Sequence, residues 1–327
     1  MPPDDATDGG SDADRLAPDE AFAVLGDETR MGILRALGDL DTPVPFSELY
    51  ARSDADDSGG FNYHLDRMVG HFVERVDGGY RLAPAGRRVA EAVRSGAVTE
   101  QPELPMTEVE EPCPYCGAAT RVRWRDGSVE QFCTGCAGRY GRRYRESGMP
   151  IEEVEGYLGR NPLPPAGVRG RSPTETLRAA WTWGELEILS LSAGVCPRCS
   201  GAVEWEPVVC EDHESDGGPC PTCGGRYTVG VRVACTNCIL VAGGEPVVAL
   251  AARTDLLALL AANGHNPIAP DDVHAVEQVH GAYEETVHAA DPLRATYTFD
   301  LGGESVALTV DESLDVVETA WDEGAAQ

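Results

Sequence analysis

Eleven cysteines and one histidine fall into six close pairs, and this spacing is the first chemistry the chain suggests. CPYC (Cys113, Cys116) and CTGC (Cys133, Cys136) flank the stretch ATRVRWRDGSVEQF, which alternates and turns at Asp126-Gly127. Each Cys-x-x-Cys presents two thiolates to one ion, and the hairpin returns the second pair to the first. The expectation is a four-cysteine zinc ribbon. Four protein ligands leave no open coordination position, so such a site is structural rather than catalytic. No secretory signal precedes the cysteines, and in such a chain they argue for metal before disulfides.

The remaining pairs are CPRC (Cys196, Cys199), CEDH (Cys210, His213), CPTC (Cys220, Cys223) and CTNC (Cys235, Cys238). Eight ligands suit two more ions, giving up to three structural Zn(2+) per chain. Strands are expected over Ala202 to Val209 and Arg226 to Ala234. If antiparallel, the start of the first meets the end of the second. Cys196 and Cys199 then join Cys235 and Cys238, while Cys210 and His213 join Cys220 and Cys223. A cross-braced alternation fits the same count but not the strand register. His213 is read as a ligand, with a surface histidine as the alternative.

The elements that position these ligands lie in a chain of 327 residues, long enough for several compact units. Lys+Arg is 26 and Asp+Glu 55, a formal charge of -29, and no lysine occurs. This balance resembles that of extreme halophiles, where carboxylates keep proteins hydrated in molar salt. At about 1 M salt the Debye length is only about 3 Å, so contacts must be short-range. Acidity alone therefore does not exclude a nucleic-acid partner here. No signal pattern opens the chain, and no stretch reaches about 18 uninterrupted apolar residues. A cytoplasmic protein with no membrane partner is expected.

The fold class expected is multidomain α+β. Residues 1–17 read as a disordered acidic tail, 18–97 as a helical unit and 98–112 as an acidic, proline-containing linker. Residues 113–145 form the first cysteine module, 146–195 a helical connector including a short helix, and 196–240 the second module. Residues 241–327 read as a helix, TDLLALLAANG, followed by an antiparallel hairpin or meander about Gly302-Gly303. DDVHAVEQVHGAYEETVHAADP fits helix and strand patterns alike. The helices TETLRAAWTWGELEIL and TDLLALLAANG, with the terminal sheet, are expected to line a cavity.

Within 18–97, DEAFAVLGDETRMGILRAL carries Phe22, Leu25, Ile33, Leu34 and Leu37 on apolar positions, and Asp27-Glu28-Thr29 offers a restart as a second helix. PFSELY is a short helix. DSGGFNYHLDRMVGHF, Asp57 to Phe72, is a longer one, with Phe61, Leu65, Met68, Val69 and Phe72 at helical spacing. VERVDGGYRL is a hairpin about Asp77-Gly78-Gly79, and APAGRRVAEAVRSG a closing helix.

The blocks GDETRMGILRAL, FSELY and GGFNYHLDRMV, in that order, resemble the ArsR-type winged helix-turn-helix regulators over roughly residues 19–95. The whole chain resembles haloarchaeal proteins that append zinc-ribbon segments to such a domain. The resemblance implies a DNA-binding transcriptional regulator, a homodimer on double-stranded promoter DNA, and not an enzyme. It implies that Ser58, Gly60, Asn62, Tyr63 and Arg67 face the major groove or its phosphates. Asparagine can pair with adenine, and arginine with guanine or phosphate. Arg75 and Arg81 of the wing would reach the backbone. His64 is implied to be structural, packing at the helix–wing junction. The alternative is an adaptor acting on the transcription machinery through protein contacts.

Two further groups of residues bear on function. From Arg121 to Arg145 seven arginines stand against Asp126 and Glu130, interleaved with Trp124, Tyr140 and Tyr144. They suit phosphate and stacked bases, or else pair with acids elsewhere in the chain or on a second subunit. His265, His274, His280 and His288 are scattered and read as surface polar residues, and a metal site from Asp271, Asp272 and His274 is disfavoured. No Ser-His-Asp arrangement, phosphate loop, HExxH or GxGxxG in a strand–helix context is present.

Overall fold

The computed structural model describes residues 16–40, 43–53, 55–140, 155–214, 216–268, 273–281 and 283–323. Most of the expected tail, Arg142, Arg143, Tyr144, Arg145, the short helix expected after residue 146, and Asp271 with Asp272 lie outside them. The chain is mixed α+β, with several antiparallel sheets, and divides into two compact units, residues 1–100 and 101–327.

The first unit runs α1 (Pro18–Leu25), α2 (Glu28–Asp39), α3 (Phe46–Ala51), α4 (Ser58–Asp66), β1 (Val73–Val76), β2 (Gly79–Leu82) and α5 (Pro84–Arg94). Asp27 separates α1 from α2 because its carboxylate accepts the Arg30 N–H at 3.0 Å, capping the new helix. Asp57 does the same for α4, taking the Gly60 N–H at 2.7 Å. Ile33, Leu34 and Leu37 of α2, Leu49 of α3, and Phe61 and Leu65 of α4 are buried together. The Phe61 ring meets those of Phe46 and Tyr50 at 5.5 and 5.4 Å. Phe22, expected on the apolar face, is 73% exposed instead.

α4 is also shorter than its apolar spacing suggests. It ends at Asp66, and Met68 and Phe72 are buried from the turn that follows. Gly70 there has φ +94°, and its N–H reaches Val73 O at 2.9 Å, which bends the chain into β1. The hairpin then closes over Asp77-Gly78, with Val76 opposite Gly79. α5 docks through Gly86, where a Cβ would lie 2.0 Å from Phe72 O.

The second unit begins with a sheet in the order β3 (Leu104–Pro112), β4 (Ala119–Arg125), β5 (Ser128–Cys133) and β6 (Tyr157–Pro162), all neighbours antiparallel. Two expectations are corrected here. The stretch 98–112 is not a linker throughout, since its second half is strand β3. The connector at 146–195 contributes strand β6 as well as a helix. Both are edge strands, where proline costs no ladder bond, so their prolines and acids masked them. Val109 and Glu111 of β3 are buried, alternating with exposed Glu108 and Glu110.

α6 (Pro173–Ser192) lies on this sheet, packing Leu177 and Ala180 against Val109, Val122 and Val129. Ser172 caps it reciprocally with Glu175: its hydroxyl accepts the Glu175 N–H, and its own N–H donates to Glu175 Oε2 at 2.8 Å. A second sheet joins β7 (Val203–Val209), β8 (Val229–Cys235) and β9 (Val241–Gly244).

α7 (Val247–Leu250), α8 (Thr254–Ala262) and α9 (Val273–Gly281) lead into the meander β10 (Glu284–Ala290), β11 (Leu293–Leu301), β12 (Glu304–Val310) and β13 (Val316–Glu323). The ambiguous stretch thus resolves as helix, then strand. Leu256, Leu259 and Leu260 of α8 pack into the core of the meander with Tyr297, Phe299 and Leu308. Among the described residues no helix is long and apolar enough to cross a membrane.

Candidate metal centres and a buried charged cavity

The twelve paired residues gather into three groups of four: Cys113, Cys116, Cys133 and Cys136; Cys196, Cys199, Cys235 and Cys238; Cys210, His213, Cys220 and Cys223. Within each group the ligand atoms lie within 4.8 Å of one another. The sulfurs of Cys116 and Cys133 are 3.5 Å apart, those of Cys113 and Cys136 3.7 Å, and those of Cys196 and Cys238 3.6 Å. Tetrahedral ligation at a metal–sulfur distance of about 2.3 Å sets an edge of about 3.8 Å, far beyond a disulfide bond of about 2.05 Å. The geometry is compatible with metal binding.

The β7–β8 register explains the grouping. Val203 faces Cys235 and Val209 faces Val229, so one group sits at each end of the hairpin. This is the nested arrangement rather than the cross-braced one. His213 places Nδ1 3.6 Å from Cys223 Sγ, while Nε2 lies 3.2 Å from Arg226 O. A ligating histidine anchors its far nitrogen in this way.

The electrostatics also favour a cation. Burial pushes the Cys133 thiol up, but the N–H groups of Gly135 and Cys136, 3.2 and 3.3 Å from its sulfur, bring it down to about 7. The Asn237 side chain, with the Gly201 N–H, holds Cys199 at about 6. Cys220 is likewise lowered to about 6 against burial, by the N–H groups of Cys223, Glu214 and Thr222. In each group another thiol is pushed up: Cys113 by burial, Cys223 by burial to about 11, and Cys238, against the Leu240 N–H that lowers it, by burial and its cysteine neighbours to about 12.

Two of the centres are tied to one another. Arg226, three residues after Cys223, stacks on the Tyr115 ring at 4.0 Å, and Tyr115 lies between Cys113 and Cys116. Arg226 also donates to Gly138 O at 2.7 and 3.1 Å, just beyond Cys136.

Three described arginines of the stretch take the intramolecular alternative, while Arg121 is exposed. Arg123 and Arg125 both pair with buried Glu130, at 2.6 and 3.0 Å. Arg139 pairs with buried Glu245, Trp124 donates to Leu163 O at 2.8 Å, and Tyr140 is buried. These groups are not displayed for phosphate or bases.

Arg139 marks a site that sequence reasoning missed. It borders a cavity of about 480 Å³ that Trp181 and Glu185 of α6, Leu158 of β6, and Glu277 and His280 of α9 also line. α8 and the terminal sheet, expected to line a cavity, pack on each other instead. His280, read as a surface residue, is only 6% exposed, with Nδ1 3.9 Å from Glu185 Oε2. A signal was present: Glu185 interrupts an apolar helical stripe running through Leu177, Trp181 and Ile188. His265 is half-buried and His288 exposed.

Burial raises Glu185 and Glu277 to about 8 and lowers His280 to about 4. A carboxyl whose folded pKa is raised stays protonated in the fold but ionises on unfolding. Its presence costs stability as pH rises from about 4.5 to about 8. His280 acts oppositely and costs stability only below about 6.5. Between pH 6.5 and 8, Glu185→Gln should remove a downward slope of up to about 1.4 kcal/mol per pH unit. Denaturant midpoints of wild type and variant across that window, taken as a difference, measure it. Parallel pH profiles would show that Glu185 is ionised in the fold.

In the first unit, Ser58, Tyr63 and Arg67 are exposed and Gly60 is partly covered at the capped start of α4. Asn62, Arg75 and Arg81 are engaged within the chain. Asn62 Nδ2 donates to Asp66 Oδ2 at 2.8 Å, and Arg75 lies 3.3 Å from Asp66 Oδ1 while also donating to Tyr80 OH. Arg81 pairs with Glu74 at 2.7 Å. His64 places its Nδ1 3.2 Å from Asp27 Oδ1, the cap of α2.

The fold and its three four-ligand centres define a mixed α+β protein with a helical first unit and a second unit compatible with metal binding. Residues 110–316 match a family model described as a domain of unknown function, DUF7351, which spans more than half of the chain. The chain belongs to that family. Residues 18–93 match a second domain of unknown function, DUF7347. No curated protein and no solved structure matches.

Proposed function

We propose that the protein is a DNA-binding transcriptional regulator of ArsR-like type, with a winged helix-turn-helix in its first unit and structural zinc in its second. The observation that carries this reading is the outward side of α4. Its core side chains Phe61 and Leu65 fix its rotation, and that rotation leaves Ser58, Tyr63 and Arg67 exposed, with the hairpin residue Arg75 beside its C-terminal end. Asp57 caps a helix start without side chains at Gly59 and Gly60, where backbone N–H groups can approach a phosphate. Zinc suits the thiolate-rich donor sets; a homodimer would match a palindromic site.

Asp66 provides the test. It occupies Asn62 and Arg75 at once, and a carboxylate there opposes phosphate. Asp66→Asn should raise affinity for a selected duplex about tenfold or more, and Arg67→Ala should lower it by a similar factor. Both are measured with the full-length metal-loaded protein across a salt series. If neither variant moves binding, α4 does not read DNA.

The same carboxylate favours a second reading, an adaptor that works through protein contacts. A face whose arginines are neutralised by Asp66 and Glu74, with Tyr63 61% exposed, also suits a protein surface. No sequence-selective binding, together with retention of RNA polymerase subunits that Tyr63→Ala abolishes, supports it.

A further inference from the structure

We propose that a second cavity, bordered by β6, β7, β8 and β9, is a binding site for an apolar monocarboxylate, its carboxylate on Arg160 and its apolar body on the open face of the β7–β8–β9 sheet.

Arg160 is a cation that the fold leaves over. It sits on edge strand β6, directly opposite Glu130 in the β5–β6 ladder. Both oxygens of that carboxylate are already taken, one by Arg123 and one by Arg125. Arg160 has no hydrogen-bond or ion-pair partner among the described residues, is exposed, and lines the cavity. The carboxylate and the second arginine that line it are paired: Glu245 with Arg139, and Arg232 with Glu206 at 3.4 Å. A guanidinium is always charged in a protein, and its planar fork matches a carboxylate through two parallel hydrogen bonds. One unmatched positive charge calls for one negative charge, so a monocarboxylate fits it better than a doubly charged phosphate.

The sheet supplies the apolar part. Val208 pairs with Gly230 and Arg232 with Gly243, so strand alternation puts Val208, Gly230, Gly243 and Val241 on one face. All four line the cavity. Val208 is 54% exposed and Val241 57%, two apolar side chains open to whatever enters. The glycines leave a hollow on that face where side chains would otherwise stand. A Cβ at Gly230 would meet no atom nearer than 3.6 Å, so the space there is open. At about 630 Å³ the cavity lies within the range of small-ligand sites. An apolar body covers the valines and fills the hollow, and Arg160 fixes the charged end.

The test uses the full-length metal-loaded chain with octanoate, phenylbutyrate and acetate at millimolar concentration, read by thermal shift and then calorimetry. Octanoate or phenylbutyrate should raise Tm in a concentration-dependent way, and acetate, which lacks the apolar body, should not. The corresponding amides should bind about tenfold more weakly than the acids. Arg160→Met should lose about tenfold in affinity for the acid with metal content unchanged. Arg160 is exposed and unpaired among the described residues, so its replacement leaves the packing intact. Arg121→Met removes an exposed arginine that does not line the cavity and should leave affinity as it is. Gly230→Val fills the hollow and should abolish binding. The proposal is overturned if neither acid raises Tm, if the amides bind as well as the acids, if Arg160→Met or Gly230→Val binds unchanged, or if Arg121→Met weakens binding as much as Arg160→Met. None of these readouts involves DNA, so the proposal stands or falls apart from the regulator reading.

Discussion

Chelating the metal proposed for the three centres should unfold the second unit and leave the first folded. The end of the β4–β5 hairpin at the first centre has little apolar packing besides the cysteines themselves. The apolar cluster at the first centre is made of Cys113, Cys133 and Leu158, two of them ligands. Structural zinc contributes about 10–16 kcal/mol in zinc-finger peptides, comparable to or larger than the whole stability of a domain, about 5–15 kcal/mol. Without the ion, sulfurs 3.5–3.7 Å apart repel or must take up protons. The first unit has none of these ligands and its own core around Leu34, Leu49 and Phe61.

The readout is separable because Trp124, Trp181, Trp183, Trp205 and Trp321 all lie in the second unit. Tryptophan emission should shift to the red on chelation, while amide protection persists at Ile33 and Leu65. Unchanged emission from a chain shown to be metal-free would sink this account.

Glu245→Ala should destabilise the second unit by about 3–5 kcal/mol, the cost of leaving a buried charge without its partner. Its carboxylate is nearly inaccessible and pairs with Arg139, itself only 19% exposed. Burial alone would push the proton off Arg139, yet Glu245 together with Tyr140 and Tyr115 holds the charge firmly on it. Removing the carboxylate strands that guanidinium against the Tyr140 ring and His280 O. The double replacement Arg139→Met with Glu245→Leu should recover most of the loss, because no buried charge remains. Denaturant unfolding followed by tryptophan emission gives both values. A single variant within about 1 kcal/mol of wild type would mean that water reaches Arg139.

The sequence was most legible where a few neighbouring residues decide the outcome. The turns at Asp77-Gly78, Asp126-Gly127 and Gly302-Gly303 each close a two-residue hairpin, as their dipeptides indicate. Asp57 and Ser172 cap helices because each side chain bonds a backbone N–H of the same turn. The cysteine pairs fall within ligand distance because two-residue spacing and one strand register suffice to place them.

Long-range pairing was not legible. Strand β3 carries a linker's composition, and only the neighbour β4 makes it a strand. Arg139 meets Glu245 across 106 residues, so its charge looked free until the fold supplied the carboxylate. Glu185 and His280 are polar in sequence and buried in space, because α6 and α9 close over them. What the sequence determined by itself was local: turns, caps and ligand pairs, whose energies are settled within one turn or hairpin. Tertiary structure alone decided which charges are neutralised, which face of α4 stays open and where the cavity lies. Those depend on partners brought together only when the chain packs.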